Sequence, residues 1–217
     1  MKYYKILVNA AEKGLSSEYA GNTFDFTNAC EKCFTGTVVK GKHILKEIRV
    51  AHAYPIFQTL NGDFFISSVL YNLLIDKGIS IPYKQAVTPK GTILNHVQLF
   101  SEYTLPKALI PEGYVRYKDG CVYCERDRYS RGAWLSTIHK ARQTVIKDIC
   151  FIYPSEIREL LVKSDVFLTY ECVGNSVIRD GVIKALPKPG IIISDRIKDA
   201  FTEFGIKNVS YWELQLI

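Results

Sequence analysis

Four of the six cysteines fall into two Cys-x-x-Cys pairs, Cys30 with Cys33 and Cys121 with Cys124. Two thiolates spaced this way can hold one metal ion from a single tight turn. A second such turn completes a tetrahedral four-sulfur shell with metal–sulfur bonds of about 2.3 Å. Zinc is the expected ion, and sulfur ligands in tetrahedral geometry also suit iron. The pairs are separated by 87 residues, far more than the roughly 15 to 20 of a zinc ribbon. A joint site is still open to them, because each doubling of a loop costs only about 0.6 kcal/mol in closure entropy. One structural zinc ion on Cys30, Cys33, Cys121 and Cys124 is therefore expected to tie distant segments together. The alternatives are unligated pairs or a redox Cys-x-x-Cys, which normally sits at the N-terminus of a helix that neither pair opens. His43 and His52 stand by as replacement ligands. Cys150 and Cys172, in the apolar contexts DICFIY and TYECVG, read as small buried hydrophobes.

A catalytic zinc keeps one coordination position open and works beside an acid or base, whereas four thiolates close the shell. The sequence has no H-E-x-x-H, no G-x-S-x-G and no Walker-type glycine loop, and its four histidines are scattered. A binding protein is expected rather than an enzyme.

The second cysteine pair lies in a basic stretch. From Tyr114 to Arg142 seven basic residues face three acidic ones, which accounts for most of the formal charge of +6. Within it Arg126, Arg128, Tyr129, Arg131 and Trp134 are the candidate partner-binding residues. Arginines neutralise phosphates and aromatic faces stack on bases, so nucleic acid is one possible partner. The same residue types favour protein interfaces, and Glu125 and Asp127 dilute the charge.

The elements that must position these residues are organised around a repeated stretch. Phe65 to Ile79, FISSVLYNLLIDKGI, returns 127 residues later as Ile192 to Ile206, IISDRIKDAFTEFGI. In each copy an apolar strand end meets a serine suited to capping a helix N-terminus. Apolar residues then recur at three- and four-residue spacing, and a glycine, Gly78 or Gly205, stops the helix. A β-branched strand follows, so each unit reads strand, helix, strand. Beside the first cysteine pair, Thr37 to Val39 and Ile44 to Ala53 read as a hairpin turning at Lys40-Gly41-Lys42. Trp134 to Ile146 reads as a helical face, and Pro154-Ser155-Glu156 as the start of a short helix running through Val162.

The expected fold class is α+β: one compact domain spanning 1–217, made of duplicated strand-helix-strand units at about 53–100 and 165–217. A zinc-knuckle hairpin is inserted, with knuckle segments at about 26–52 and 114–135. At 217 residues and 47% hydrophobic the chain can bury a sizeable core. No apolar run approaches the roughly 18 residues of a membrane span, and the N-terminus alternates as a strand through Tyr4, Ile6 and Val8 rather than as a signal peptide. A cytoplasmic protein without membrane partners is expected.

The two cysteine pairs and the C-terminal SDVF…IIISDRIKDAFTEFGIKNVSYWEL together resemble a bacterial family described by a double CXXCG motif. The repeated unit is similar to a wider family of immunity proteins found beside polymorphic toxins. The glycine of that motif is replaced by Phe34 after the first pair and by Glu125 after the second, and Gly36 follows two residues after Phe34. The resemblance implies an immunity protein that binds and neutralises a cognate toxin by occlusion. A zinc-containing nucleic-acid-binding protein is the alternative.

Overall fold

The computed structural model describes residues 1–8, 11–12, 20–46, 54–59, 62–109, 121–124, 128–129, 152–173 and 177–217. In chain order the strands are β1 (Tyr3–Val8), β2 (Ala11–Glu12), β3 (Phe24–Asp25), β4 (Val38–Val39), β5 (His43–Ile44), β6 (Ile56–Thr59) and β7 (Phe64–Ser67). Helix α1 (Ser68–Asp76) follows, then β8 (Tyr83–Val87), β9 (Ile93–Leu99), β10 (Arg128–Tyr129) and β11 (Ile152–Tyr153). A single 3-10 turn (Ser155–Ile157) leads into the short α2 (Arg158–Leu161). The chain ends with β12 (Val166–Val173), β13 (Val177–Arg179), β14 (Val182–Ala185), β15 (Lys188–Ser194), α3 (Asp195–Glu203), β16 (Val209–Glu213) and β17 (Gln215–Leu216).

Two sheets carry the architecture, in the orders β10-β12-β15-β1-β16 and β2-β6-β7-β9-β8-β5. They share a pattern. In the second, β7 and β8 flank β9 and both run antiparallel to it, and in the first, β15 and β16 flank β1 in the same way. The helix after β7 or β15 therefore crosses over an intervening strand to reach its parallel partner. That slot is filled by the next strand of the chain in one sheet and by the N-terminal strand in the other. β1 suits the slot because its residues alternate: Tyr4, Ile6 and Val8 join the main core, while Tyr3 faces the other side among Tyr153, Phe167 and Ile192.

The fold is thus mostly β, and the α+β expectation fails. Among the described residues, strand-helix-strand stretches are present only as local crossovers within the sheets, and the helices are two of nine residues and one of a single turn. The misreading has a physical cause. Many strands here are two residues long, too short to show a period, and their existence depends on a distant partner rather than on local preference. The described part of the expected zinc-knuckle hairpin, Thr37 to Val39 and Ile44 to Lys46, does not pair with itself, and residues 47–53 of its second strand lie outside the described residues. Gly41 does turn the chain, with φ of 61°, but β4 pairs with β3 and β5 joins β8 in parallel.

One core holds both sheets together. Leu70 and Leu74 of α1 share it with Ile197, Ala200 and Phe201 of α3, and with Ile66, Val97, Ile193 and Val166 from the strands, all nearly or fully buried. Each nine-residue helix is capped by its serine: Ser67 Oγ accepts from the Leu70 amide at 3.2 Å and Ser194 Oγ from the Ile197 amide at 3.4 Å. The two glycines behind them take the left-handed conformation, at φ of 69° and 76°. The caps differ in what else they do, since Ser194 is fully buried and donates to Asp165 Oδ1 at 2.5 Å. Ser67→Ala is expected to cost about 1 kcal/mol. Ser194→Ala should cost roughly twice as much, because it also removes a hydrogen bond to a charged group. Equal losses in denaturant unfolding would contradict the second role of Ser194. Among the described residues no helix is long and apolar enough to cross a membrane.

Candidate metal centre

The first cysteine pair sits in a loop closed at its base by β3 and β4. Asp25 begins the loop by accepting from the Thr27 amide and hydroxyl at 2.9 and 2.6 Å, the local hydrogen bonding that favours turns over regular structure. Around the cysteines the backbone closes on itself: the Phe34 amide donates to Cys30 O at 2.7 Å and the Cys30 amide to Thr35 O at 2.9 Å. This tight turn requires a left-handed residue directly after Cys33, and Phe34 supplies it at φ of 57°. That is the place where the CXXCG pattern has glycine, so the turn forms here against a penalty of roughly 1–2 kcal/mol. Edge-to-face packing of Phe34 on Phe26, with centroids 5.9 Å apart, offsets part of it. Gly36 is needed where it stands: its φ is 97°, and a Cβ there would lie 2.6 Å from Asn28 O.

The second pair lies on a turn held to the other sheet. Tyr170 of β12 donates its hydroxyl to Cys124 O at 3.0 Å, and β10 follows the turn and pairs in parallel with β12. Lys32 of the first loop lies over the Tyr123 ring at 5.0 Å, which links the two turns directly.

These anchors bring Cys30, Cys33, Cys121 and Cys124 together. Sγ of Cys30 is 3.7 Å from that of Cys121, Sγ of Cys33 is 3.6 Å from that of Cys124, and all four sulfurs lie within 4.8 Å of one another. A tetrahedral ion with bonds of about 2.3 Å requires sulfur–sulfur edges of about 3.8 Å, whereas a disulfide requires about 2.05 Å. The spacing fits a metal shell, and the four cysteines lie close enough to hold one ion. Cys33 is buried and the other three are half-buried. Thr35, itself 3% exposed, places its hydroxyl 3.1 Å from Cys33 Sγ. Once that thiol is ionised, the hydroxyl can donate to it and orient it. Thr35 escaped the sequence reading, since a hydroxyl two residues past a cysteine carries no distinctive signal.

The other candidates are placed differently. His43 is no ligand: it lies buried at the edge of the second sheet, with Nδ1 2.8 Å from Gln98 Oε1. Arg128 and Tyr129 form β10 at the edge of the first sheet. His52, Cys150, Arg126, Arg131, Trp134 and the expected helix at Trp134 to Ile146 lie outside the described residues. Cys172 is fully buried in β12, as its apolar neighbours imply. No protein-family model matches the chain, and no curated protein sequence matches it.

Proposed function

We propose that the chain binds one structural zinc ion through Cys30, Cys33, Cys121 and Cys124 and acts as an immunity protein, a non-enzymatic binder that blocks a cognate bacterial toxin by occlusion. The observation that carries the metal assignment is the gathering of four sulfurs within 4.8 Å of one another, with one distance of 3.7 Å and one of 3.6 Å between the pairs, near the edge of a zinc–thiolate tetrahedron. Four thiolates leave no position for a substrate, so the ion's work is to hold the two turns, and through them the two sheets, in one arrangement. The toxin-binding half of the reading is supported by the sequence resemblance of the cysteine pairs and the C-terminal unit, and by a charged, aromatic segment beside the second knuckle suited to a protein interface.

Elemental analysis of protein purified without added metal should find about one zinc per chain, and iron in its place would correct the ion. For the function, co-expression with the toxin encoded by the adjacent gene should restore growth and give a complex on a sizing column. Absence of both would overturn the immunity reading and leave the metal assignment intact.

A further inference from the structure

A second constellation lies in the seam between the sheets and shares no residue with the cysteine cluster. A cavity of about 100 Å³ opens there, walled by Val39, Phe64, Leu99, Leu168 and Ile191, with Lys84 and Lys188 among its polar lining. Lys188 Nζ is 2.8 Å from Asp63 Oδ1, and Asp63 is almost fully buried. Asp63 is further held by Gln98 Nε2 at 3.3 Å, and the other end of that amide meets His43. The carboxylate is thus in direct contact with one ammonium group of the cavity. Lys84 is the other: it donates to Val39 O, and among the described residues no carboxylate lies within ion-pairing distance of it. Burial and the neighbouring Lys188 ammonium both hold its pKa below the usual lysine range. Asp63 and Asp25 act on Lys84 only from beyond ion-pairing distance, so the cavity holds one ammonium group with no direct carboxylate partner among the described residues, against largely apolar walls.

We propose that this cavity is a binding site for a single carboxylate on a short aliphatic stem, received between Lys84 and Lys188 with its stem against Phe64, Leu99 and Ile191. The charge of the lining matches: Lys84 and Lys188 face the single carboxylate of Asp63, which leaves room for one negative charge. Each lysine uses one of its three N–H donors on the protein, so both have donors left for a carboxylate. The remaining polar groups are already engaged. Gln98 is spent on Asp63 and His43, and Ser101 on Val166 O. A phosphate dianion would exceed the charge. The cavity is well below the roughly 300–1,000 Å³ of sites for larger ligands, which limits the guest to an end group. The site is independent of the cysteine cluster and of the immunity reading.

Titration of the isotope-labelled protein with sodium propionate, against sodium chloride at matched ionic strength, tests this by amide NMR. Saturable shifts centred on Phe64, Leu99 and the Lys84 strand are expected. Affinity should fall at least tenfold in Lys84→Met and be retained within about threefold in Lys84→Arg. In the unsubstituted protein the Lys84 side-chain Cε resonance should move along the same curve, which keeps the test valid if Lys84→Met fails to fold. An N-acetylated, C-amidated glutamate separates the sources: tighter binding than propionate points to an acidic side chain of a protein partner, weaker binding to a free small acid. Propionate shifts no larger than those of chloride, or a Cε resonance that stays still, would overturn the proposal. Tighter binding of inorganic phosphate than of propionate would overturn the assignment to carboxylate.

Discussion

Cys33→Ser is expected to release the metal and lower the thermal midpoint by about 10–15 °C. Cys33 is the most buried of the four sulfurs, at 2% exposure, and serine there nearly preserves volume while removing the thiolate. The loss is then one of ligation rather than of packing. The magnitude follows from what the ion cross-links. A bond that closes a loop of nearly a hundred residues removes roughly 4–5 kcal/mol of chain entropy from the unfolded state. In a chain of this size each kcal/mol moves the midpoint by about 2–4 °C. Zinc–thiolate binding, on the order of 10 kcal/mol or more, is ample to enforce that closure. The control is the unsubstituted protein with a strong chelator, which should melt where Cys33→Ser melts, with no further fall when chelator is added to the variant. If metal is lost and the midpoint stays where it was, the two turns are held by their contacts to the sheets alone, and the ion is dispensable to the fold.

Such a cross-link matters because of how the two turns are mounted. The first loop springs from β3 and β4 beside the edge strand β5 of one sheet, and the second is tied by Tyr170 to β12 of the other. The main core already joins the sheets through α1, α3 and β1. The metal would add a second junction on the periphery, at the base of the basic segment proposed to meet a partner. A fixed base reduces the conformational entropy that a partner-binding loop must lose on association.

What was legible in the sequence was local. Ser67 and Ser194, Gly78 and Gly205 announce helix ends because caps and left-handed stops act within four residues. The cysteine pairs announce a metal because ligand spacing is itself local, and only their meeting across 87 residues required the fold. The sheet order was not legible. Nothing within β1 says that it fills the slot between β15 and β16, and nothing near Gly41 says that the strands on its two sides go to different partners. The turn after Cys33 was concealed in another way: a phenylalanine occupies a left-handed position, which residue preference alone would assign to glycine. The sequence offers His43 as a reserve ligand because histidines bind metals, yet its place in β5 turns it into the sheet, edge-on to Phe65 with ring centroids 5.1 Å apart.

That burial makes His43 a source of acid lability. Its Nδ1 meets Gln98 Oε1, so the proton of the neutral ring sits on Nδ1, and among the described residues Nε2 has no hydrogen-bond partner. Asp63 Oδ2 lies 3.8 Å from Nε2, too far for a hydrogen bond, and its charge favours protonation. Burial opposes it and prevails, with Lys188 and Lys84 pushing the same way, and the His43 pKa falls below its ordinary 6.5. The contact with Asp63 is therefore not an ion pair at neutral pH. Below pH 6.5 the unfolded chain takes up a proton that the folded protein refuses. Stability is full above 6.5 and declines as pH falls toward the depressed value, with a limiting slope of about 1.4 kcal/mol per pH unit. His43→Asn, whose amide can donate to Gln98 from nearly the same place, should abolish this component while leaving the contribution of carboxylates at lower pH. Denaturant unfolding of both proteins at half-unit steps from pH 7.5 to 5 reads the difference. Parallel curves would show that the buried imidazole accepts its proton in the folded state, with Asp63 outweighing the cost of burial.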